Sequence, residues 1–261
     1  MSNIRQAAVA GMFYPGNASE LEHSISEYLS QAPQPDKTPR AIIAPHAGYI
    51  YSGPTAAYAY KALEPIKQKI KRVILFGPSH RVPLYGCALS SADYFETPLG
   101  TVPIDRAANQ ALIENDLARE MDAAHLMEHS LEVHLPFLQY VLDKFTLVPI
   151  VVGDASPQEV GDIIEYFWND ESNFFVVSSD LSHYHSYQVA QSIDHKTSEA
   201  IVNCDTQHIS SEQACGCRPV NGLLSVAQKH HLHVAVLDQR NSGDTAGSKD
   251  QVVGYGAYAV Y

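Results

Sequence analysis

The sequence predicts an α/β protein: a single α/β/α sandwich over residues 1–261, with a mainly parallel or mixed sheet. Three observations lead there. Short apolar runs with few charges recur as "RAIIAP", "RVILFGP", "FTLVPIVVG" and "NFFVVSS". Runs of this kind read as strands buried on both faces. Patterns of helical period lie between them, and strand–helix alternation gives a layered α/β arrangement. Finally, hydrophobic residues make up 45% of the chain and charged residues 18%, enough apolar surface for a large core at this length.

In chain order, a helix is expected near residues 18–29, followed by a Pro-rich polar loop, "SQAPQPDKTPR". "GPTAAYAYKAL" carries Pro54 early, as a first-turn residue should be. Asp105 suits the N-cap of "DRAANQALIENDLA". In "EHSLEVHLPFLQYVLDKF", Leu131, Leu135, Leu138 and Leu142 fall on one helical face, and Pro136 kinks or offsets it. Ser156 and Glu159 form a capping box before "EVGDIIEYFWND". A helix near residues 218–230 then precedes two strands, "HLHVAVLDQ" and "VVGYGAYAVY", separated by the polar loop "RNSGDTAGSKD".

The formal net charge is −12 with no basic cluster, which argues against nucleic acid or an anionic membrane as partner. No window approaches 18 apolar residues, and Pro15-Gly16 interrupts the start too early for a signal peptide. Four cysteines (Cys87, Cys204, Cys215, Cys217) are sparse, so free thiols and a cytoplasmic location are expected. Cys215 and Cys217 are too close together for an unstrained disulfide.

Three apolar strands end on chemistry. "RAIIAPHAGY" runs into His46, "RVILFGPSH" into His80, and "NFFVVSSDLSH" into Asp180 and His183. If these strands are parallel, their C-terminal ends share one edge, where ligands of open α/β sheets bind. His46 and His80 are 34 positions apart, about one strand–helix–strand unit, which allows neighbouring strands.

Two neutral imidazoles begin a transition-metal site. An anionic third ligand would come from Asp180, Glu128, Glu132 or a cysteine. Cys215 sits before a helix start, where the helix dipole favours thiolate. Each of these residues also has an ordinary structural reading. A strand-end His is commonly structural, and "EHSLE" reads either as a solvated helix face or as Glu128 and His129 supporting a site or touching substrate. Ser79 lacks the Gly-x-Ser-x-Gly elbow of a nucleophilic serine.

With "AAVAGMFYPG", "APHAGYIYSG", "GPSH", "TPLG", "EHSLEVHLPFLQ", "VVSSDLSHY" and "CGCRPV" taken together, the chain resembles the MEMO family, whose prokaryotic members are labelled AmmeMemoRadiSam system protein B. The resemblance implies a fold like that of LigB-type class III extradiol dioxygenases, which hold non-haem Fe(II) with two His and a carboxylate and keep another His as acid/base. In MEMO proteins the ligands are two His and one Cys. By motif these fall on His46, His80 and Cys215, and the further pocket pair falls on Asp180 and His183. Cys217-Arg218 departs from the Arg-His of some eukaryotic relatives and places a second thiol beside the ligand.

One transition-metal ion is thereby implied, Fe(II) first, with Cu or Zn as alternatives suited to a thiolate. His183 would move a substrate proton with Asp180 orienting it, and Tyr49, Tyr51 and Tyr184, next to the implied ligands, would wall an aromatic pocket. The expected activity is an oxygen-using oxidoreductase acting on a small aromatic or tyrosine-like compound. A metal-free Cys215–His183–Asp180 hydrolase or transferase is a second reading. A peptide-binding module is a third, because eukaryotic members of the resembled family are linked to cell motility and phosphotyrosine peptides. The prokaryotic label implies a pathway shared with radical-SAM and AMMECR-type proteins.

Overall fold

The structure is a computed structural model and describes residues 2–261. Along the chain lie β1 (Ile4–Arg5), α1 (Ala18–Gln31), β2 (Ala41–Ala44), α2 (Tyr49–Lys61), β3 (Arg72–Pro78), β4 (Cys87–Leu89), β5 (Tyr94–Thr97) and β6 (Gly100–Pro103). Then come α3 (Arg106–Glu114), β7 (Arg119–Glu120), α4 (Asp122–Leu126), α5 (Leu135–Val141), β8 (Thr146–Val152), α6 (Pro157–Trp168), β9 (Asn173–Ser178) and β10 (His183–His185). The last elements are α7 (Tyr187–Val202), α8 (Cys217–Lys229), β11 (Val234–Asn241) and β12 (Val252–Val260).

The centre of the main sheet is β2-β9-β3-β8, all parallel. Antiparallel β12 continues it beyond β2 and pairs with both β10 and β11, while β4 adds antiparallel to β8. Strands β1, β5 and β6 make a small separate sheet. Because side chains alternate along a strand, the central strands feed two cores. Ile42, Val73, Leu75 and Val176 meet α1, α2 and α5 on one face. Ile43, Ile74, Phe76 and Val177 meet α6 and α8 on the other. Each such side chain, fully buried, contributes about 1.5–3 kcal/mol. This is the expected α/β/α sandwich with a mixed sheet. Among the described residues no helix is long and apolar enough to cross a membrane.

Two caps form as expected: Asp105 accepts the Ala108 N–H at 2.9 Å, and Ser156 with Glu159 makes the capping box of α6. Pro54 does not open its helix. α2 starts at Tyr49, whose N–H reaches the Phe13 carbonyl at 2.7 Å, so the proline lies inside and costs the helix its bond to the Ile50 carbonyl. Pro136 instead sits in the first turn of α5, after a short 3-10 turn over Glu132–His134. The expected continuous helix from residue 128 is therefore broken into loop, 3-10 turn and helix. Between β2 and β3 the structure inserts β9, so the strands carrying His46 and His80 are next-nearest neighbours. The strand between them is the one that leads to Asp180.

Candidate metal centre

Parallel β2, β3 and β9 bring three exits to one edge, with His46, His80 and Asp180 each two residues beyond the strand end. Cys215 arrives from elsewhere, on the loop entering α8. Gly216 behind it is pressed onto the β9 exit: a Cβ there would stand 2.3 Å from the Ser178 carbonyl oxygen. That close approach sets Cys215 Sγ 3.4 Å from His46 Nε2 and lets it accept the Asp180 N–H at 3.3 Å. The donor atoms of His46, His80 and Cys215 all lie within 4.8 Å of one another.

Each imidazole is held from behind. His46 Nδ1 is 2.6 Å from Ser178 Oγ. His80 Nδ1 is 2.9 Å from Glu128 Oε1, and its backbone N–H donates to Oε2 at 2.6 Å. An Nδ1–H bonded to a carboxylate leaves the Nε2 lone pair of His80 for a ligand. His129 stacks on His80, with ring centroids 4.7 Å apart. His80, Glu128 and His129 form a second group of closely spaced donors. Glu128 Oε1, however, also accepts the N–H groups of His129 and Ser130, each at 2.9 Å. The carboxylate is thus occupied as a support and is buried.

The expected pocket residues divide. Tyr51, His129, Asp180, His183 and Tyr184 line a cavity of about 450 Å³ beside the centre. Tyr49 does not: it is buried against Tyr14 and Phe137, with its hydroxyl donating to the Val133 carbonyl at 2.7 Å. Glu128 also leaves the pocket set, because it stands behind His80. Glu132, at the start of the 3-10 turn, points elsewhere. It pairs with Arg5 and accepts the Tyr14 hydroxyl at 2.6 Å, anchoring the N-terminal segment. Among the described residues no hydrogen bond joins Asp180 to His183. Asp180 Oδ1 instead accepts the His46 N–H at 2.8 Å.

Sequence reasoning gave no role to Phe13, which packs at a tilt against His129, ring centroids 4.7 Å apart, and lines the cavity. It also gave no role to Ser242, Gly247 and Ser248 of the polar loop, or to Gln251 just after it, which form one cavity wall. The presence of Phe13 in the quoted "AAVAGMFYPG" was the one available signal.

A family model described as "Memo-like protein" matches residues 5–259. A MEMO1 family protein of Aquifex aeolicus is 36% identical, covering 97% of each chain. One from Thermoplasma volcanium is 34% identical, over 97% of this chain and 96% of its own. The chain belongs to the Memo-like protein family. Human Protein MEMO1 is 34% identical over the whole of this chain and 99% of its own length. The crystal structure of an uncharacterized Escherichia coli K12 protein aligns with 84% of this chain and 99% of its own at a TM-score of 0.48 and 14% identity, too distant to bear on fold or function.

In this Memo-like protein, burial sets the charge state of the site. It pushes His46 well below the ordinary histidine range, with His80 and His129 adding to the shift. Burial and then His80 lower His129 to about 4. Burial also raises Asp180 to about 7, against the pull of the His46 N–H and His80. The Cys215 thiol is pushed up by burial and then by Asp180. This opposes the thiolate expected from the helix dipole; the Asp180 N–H, the Ser179 hydroxyl and the Gly216 N–H offset burial only in part. A bound cation would supply the missing stabilisation of thiolate.

A metal-free Cys215 nucleophile would have His46 as its imidazole neighbour, at 3.4 Å, and burial of the thiol works against the thiolate such a nucleophile needs. Cys217 opens α8 and packs in the core on the α6/α8 face, outside the donor group. All four cysteines are free.

Proposed function

We propose that the protein is a metal-dependent oxidoreductase whose ion is held by His46, His80 and Cys215. The carrying observation is the convergence of two anchored imidazoles and one thiol within 4.8 Å. Iron(II) is the first choice of metal, with copper or zinc as alternatives suited to a sulfur ligand. When bound, the ion would supply redox and Lewis-acid chemistry beside the cavity.

The substrate class is a small phenol or tyrosine-like compound, because Phe13, Tyr51 and Tyr184 give the cavity aromatic walls. His183 faces the same cavity, and burial lowers its pKa, so it enters the reaction neutral and able to take the phenolic proton. Asp180 acts on the His46 side, holding that backbone in place. His129 covers one face of His80, and Phe13 packs against His129.

Elemental analysis of protein isolated without oxygen tests this reading. Close to one transition-metal ion per chain is expected, lost on His46→Ala, His80→Ala or Cys215→Ala. Wild-type protein carrying no metal, with no uptake of added iron(II), would refute it.

A further inference from the structure

Ser178 ends β9 on the edge that carries the metal centre, and its hydroxyl has three close neighbours. His46 Nδ1 lies at 2.6 Å, His134 Nε2 at 2.8 Å, and the Ser130 carbonyl oxygen at 2.6 Å. Beyond His134, its Nδ1 is 2.6 Å from the Tyr60 hydroxyl. All five residues are buried, so water supplies no substitute partners. The Tyr60 ring is fixed by stacking on Phe137, with centroids 4.9 Å apart and planes 8° apart.

The donor count has one solution. A serine hydroxyl has one proton and two lone pairs. The Ser130 carbonyl can only accept, so the Ser178 proton goes there. Both imidazole nitrogens facing Ser178 must then be donors. His46 carries its proton on Nδ1, which leaves the Nε2 lone pair facing Cys215. His134 carries its proton on Nε2, so its Nδ1 accepts from Tyr60. If Ser178 donated to His46 instead, the Ser130 carbonyl would be left unpaired in the core, and the His46 proton would sit on Nε2, where a ligand lone pair is needed.

We propose that Tyr60, His134 and Ser178 form a buried hydrogen-bond chain that locks His46 in its Nδ1–H tautomer, making them positioning residues of the metal centre. The chain starts on α2, crosses the turn before α5 and ends on β9, so it ties the orientation of one ligand to packing between helix and sheet. The segment from Glu128 to Ser130 serves both imidazoles: the Glu128 carboxylate takes the His80 Nδ1–H, and the Ser130 carbonyl takes the Ser178 proton. The consequence for the metal rests on the function proposed above, while the tautomer assignment does not.

Nitrogen-15 NMR of the histidine rings in metal-free protein tests the chain directly, with peaks assigned by their loss in His46→Asn and His134→Asn. His46 is expected wholly as Nδ1–H and His134 wholly as Nε2–H. Ser178→Ala should shift His46 toward the Nε2–H or an averaged form, and the milder Tyr60→Phe should shift His134 the other way, toward the Nδ1–H or an averaged form. A wild-type His46 that is Nε2–H or averaged overturns the proposal. Anaerobic iron(II) titration gives the second readout: Ser178→Ala should weaken binding about 10- to 100-fold, and an unchanged affinity refutes the positioning role. Wild-type protein that binds no iron(II) would remove the metal reading, and the ring NMR would still decide the tautomer lock.

Discussion

Both oxygens of Glu128 are turned on His80: Oε2 takes its backbone N–H at 2.6 Å and Oε1 its ring Nδ1 at 2.9 Å. Burial raises this carboxyl, but the hydrogen bonds and charge of His80, with the Ser130 N–H, hold it at about 2. It is therefore an ionised acceptor at any physiological pH. Glu128→Gln replaces one oxygen by an NH₂ group and sets donor against donor. The expected cost is about 1–3 kcal/mol of stability for each N–H left unpaired. Iron(II) affinity should fall about 10- to 100-fold. Urea unfolding and anaerobic titration check the two effects, and a variant matching wild type in both would remove Glu128 from the support of His80.

Gly216 gives a sharper steric test. Its hypothetical Cβ would stand 2.3 Å from the Ser178 carbonyl oxygen and 2.6 Å from Ser179 Cβ. The first contact is with backbone, which cannot swing aside, so the loop bearing Cys215 must move. Gly216→Ala should destabilise the fold by about 1–3 kcal/mol and abolish stoichiometric metal uptake. Elemental analysis alongside thermal unfolding measures both, and full metal content in the variant would contradict the geometry.

What the sequence made legible follows from how each element is buried. The central strands are apolar on both faces, so they stand out as uncharged runs, and their polar exits mark the edge where His46, His80 and Asp180 meet. Capping at Asp105 and Ser156 was readable because it depends on residues three apart. α7 went unread because its buried side is largely small or polar: Ala190, Asp194, Thr197 and Ser198 face inward and give no apolar stripe. The place of Glu128 was hidden for another reason. The spacing reads as a helical face over residues 128–132, yet the chain is loop up to Leu131 and enters a 3-10 turn at Glu132, so Glu128 and Glu132 point to different partners. His134 looked like one of several histidines near a helix start, and only the fold shows it reaching Ser178. Convergence of Cys215 with the two imidazoles came from family resemblance, because its loop carries no periodic signal.

Gly161 offers a contrast with Gly216. It lies within α6, and a Cβ there would meet Val226 Cγ2 at 3.6 Å, an ordinary contact. Alanine removes unfolded-state freedom and suits a helix interior. Gly161→Ala should stabilise the protein by about 0.4–1 kcal/mol. A rise in urea midpoint with unchanged slope is the expected result, and a fall would mean that the α6–α8 packing has no room for the methyl group.

Asp194 should make stability depend on pH. It is buried in α7 and accepts the Ser182 N–H at 2.9 Å. Burial raises its carboxyl to about 6, with the Ser182 N–H pulling the other way. The folded pKa thus exceeds the ordinary value of about 4. Between these two values the folded chain holds more protons than the unfolded chain, so stability falls as pH rises. The contribution is complete below about pH 4 and lost as pH rises through 6, a change on the order of 3 kcal/mol. Asp194→Asn has no proton to lose. Urea unfolding with a chelator present, at pH 4.5 and pH 7, should show the variant gaining on wild type at the higher pH. A difference that stays constant between the two conditions would show that Asp194 titrates normally.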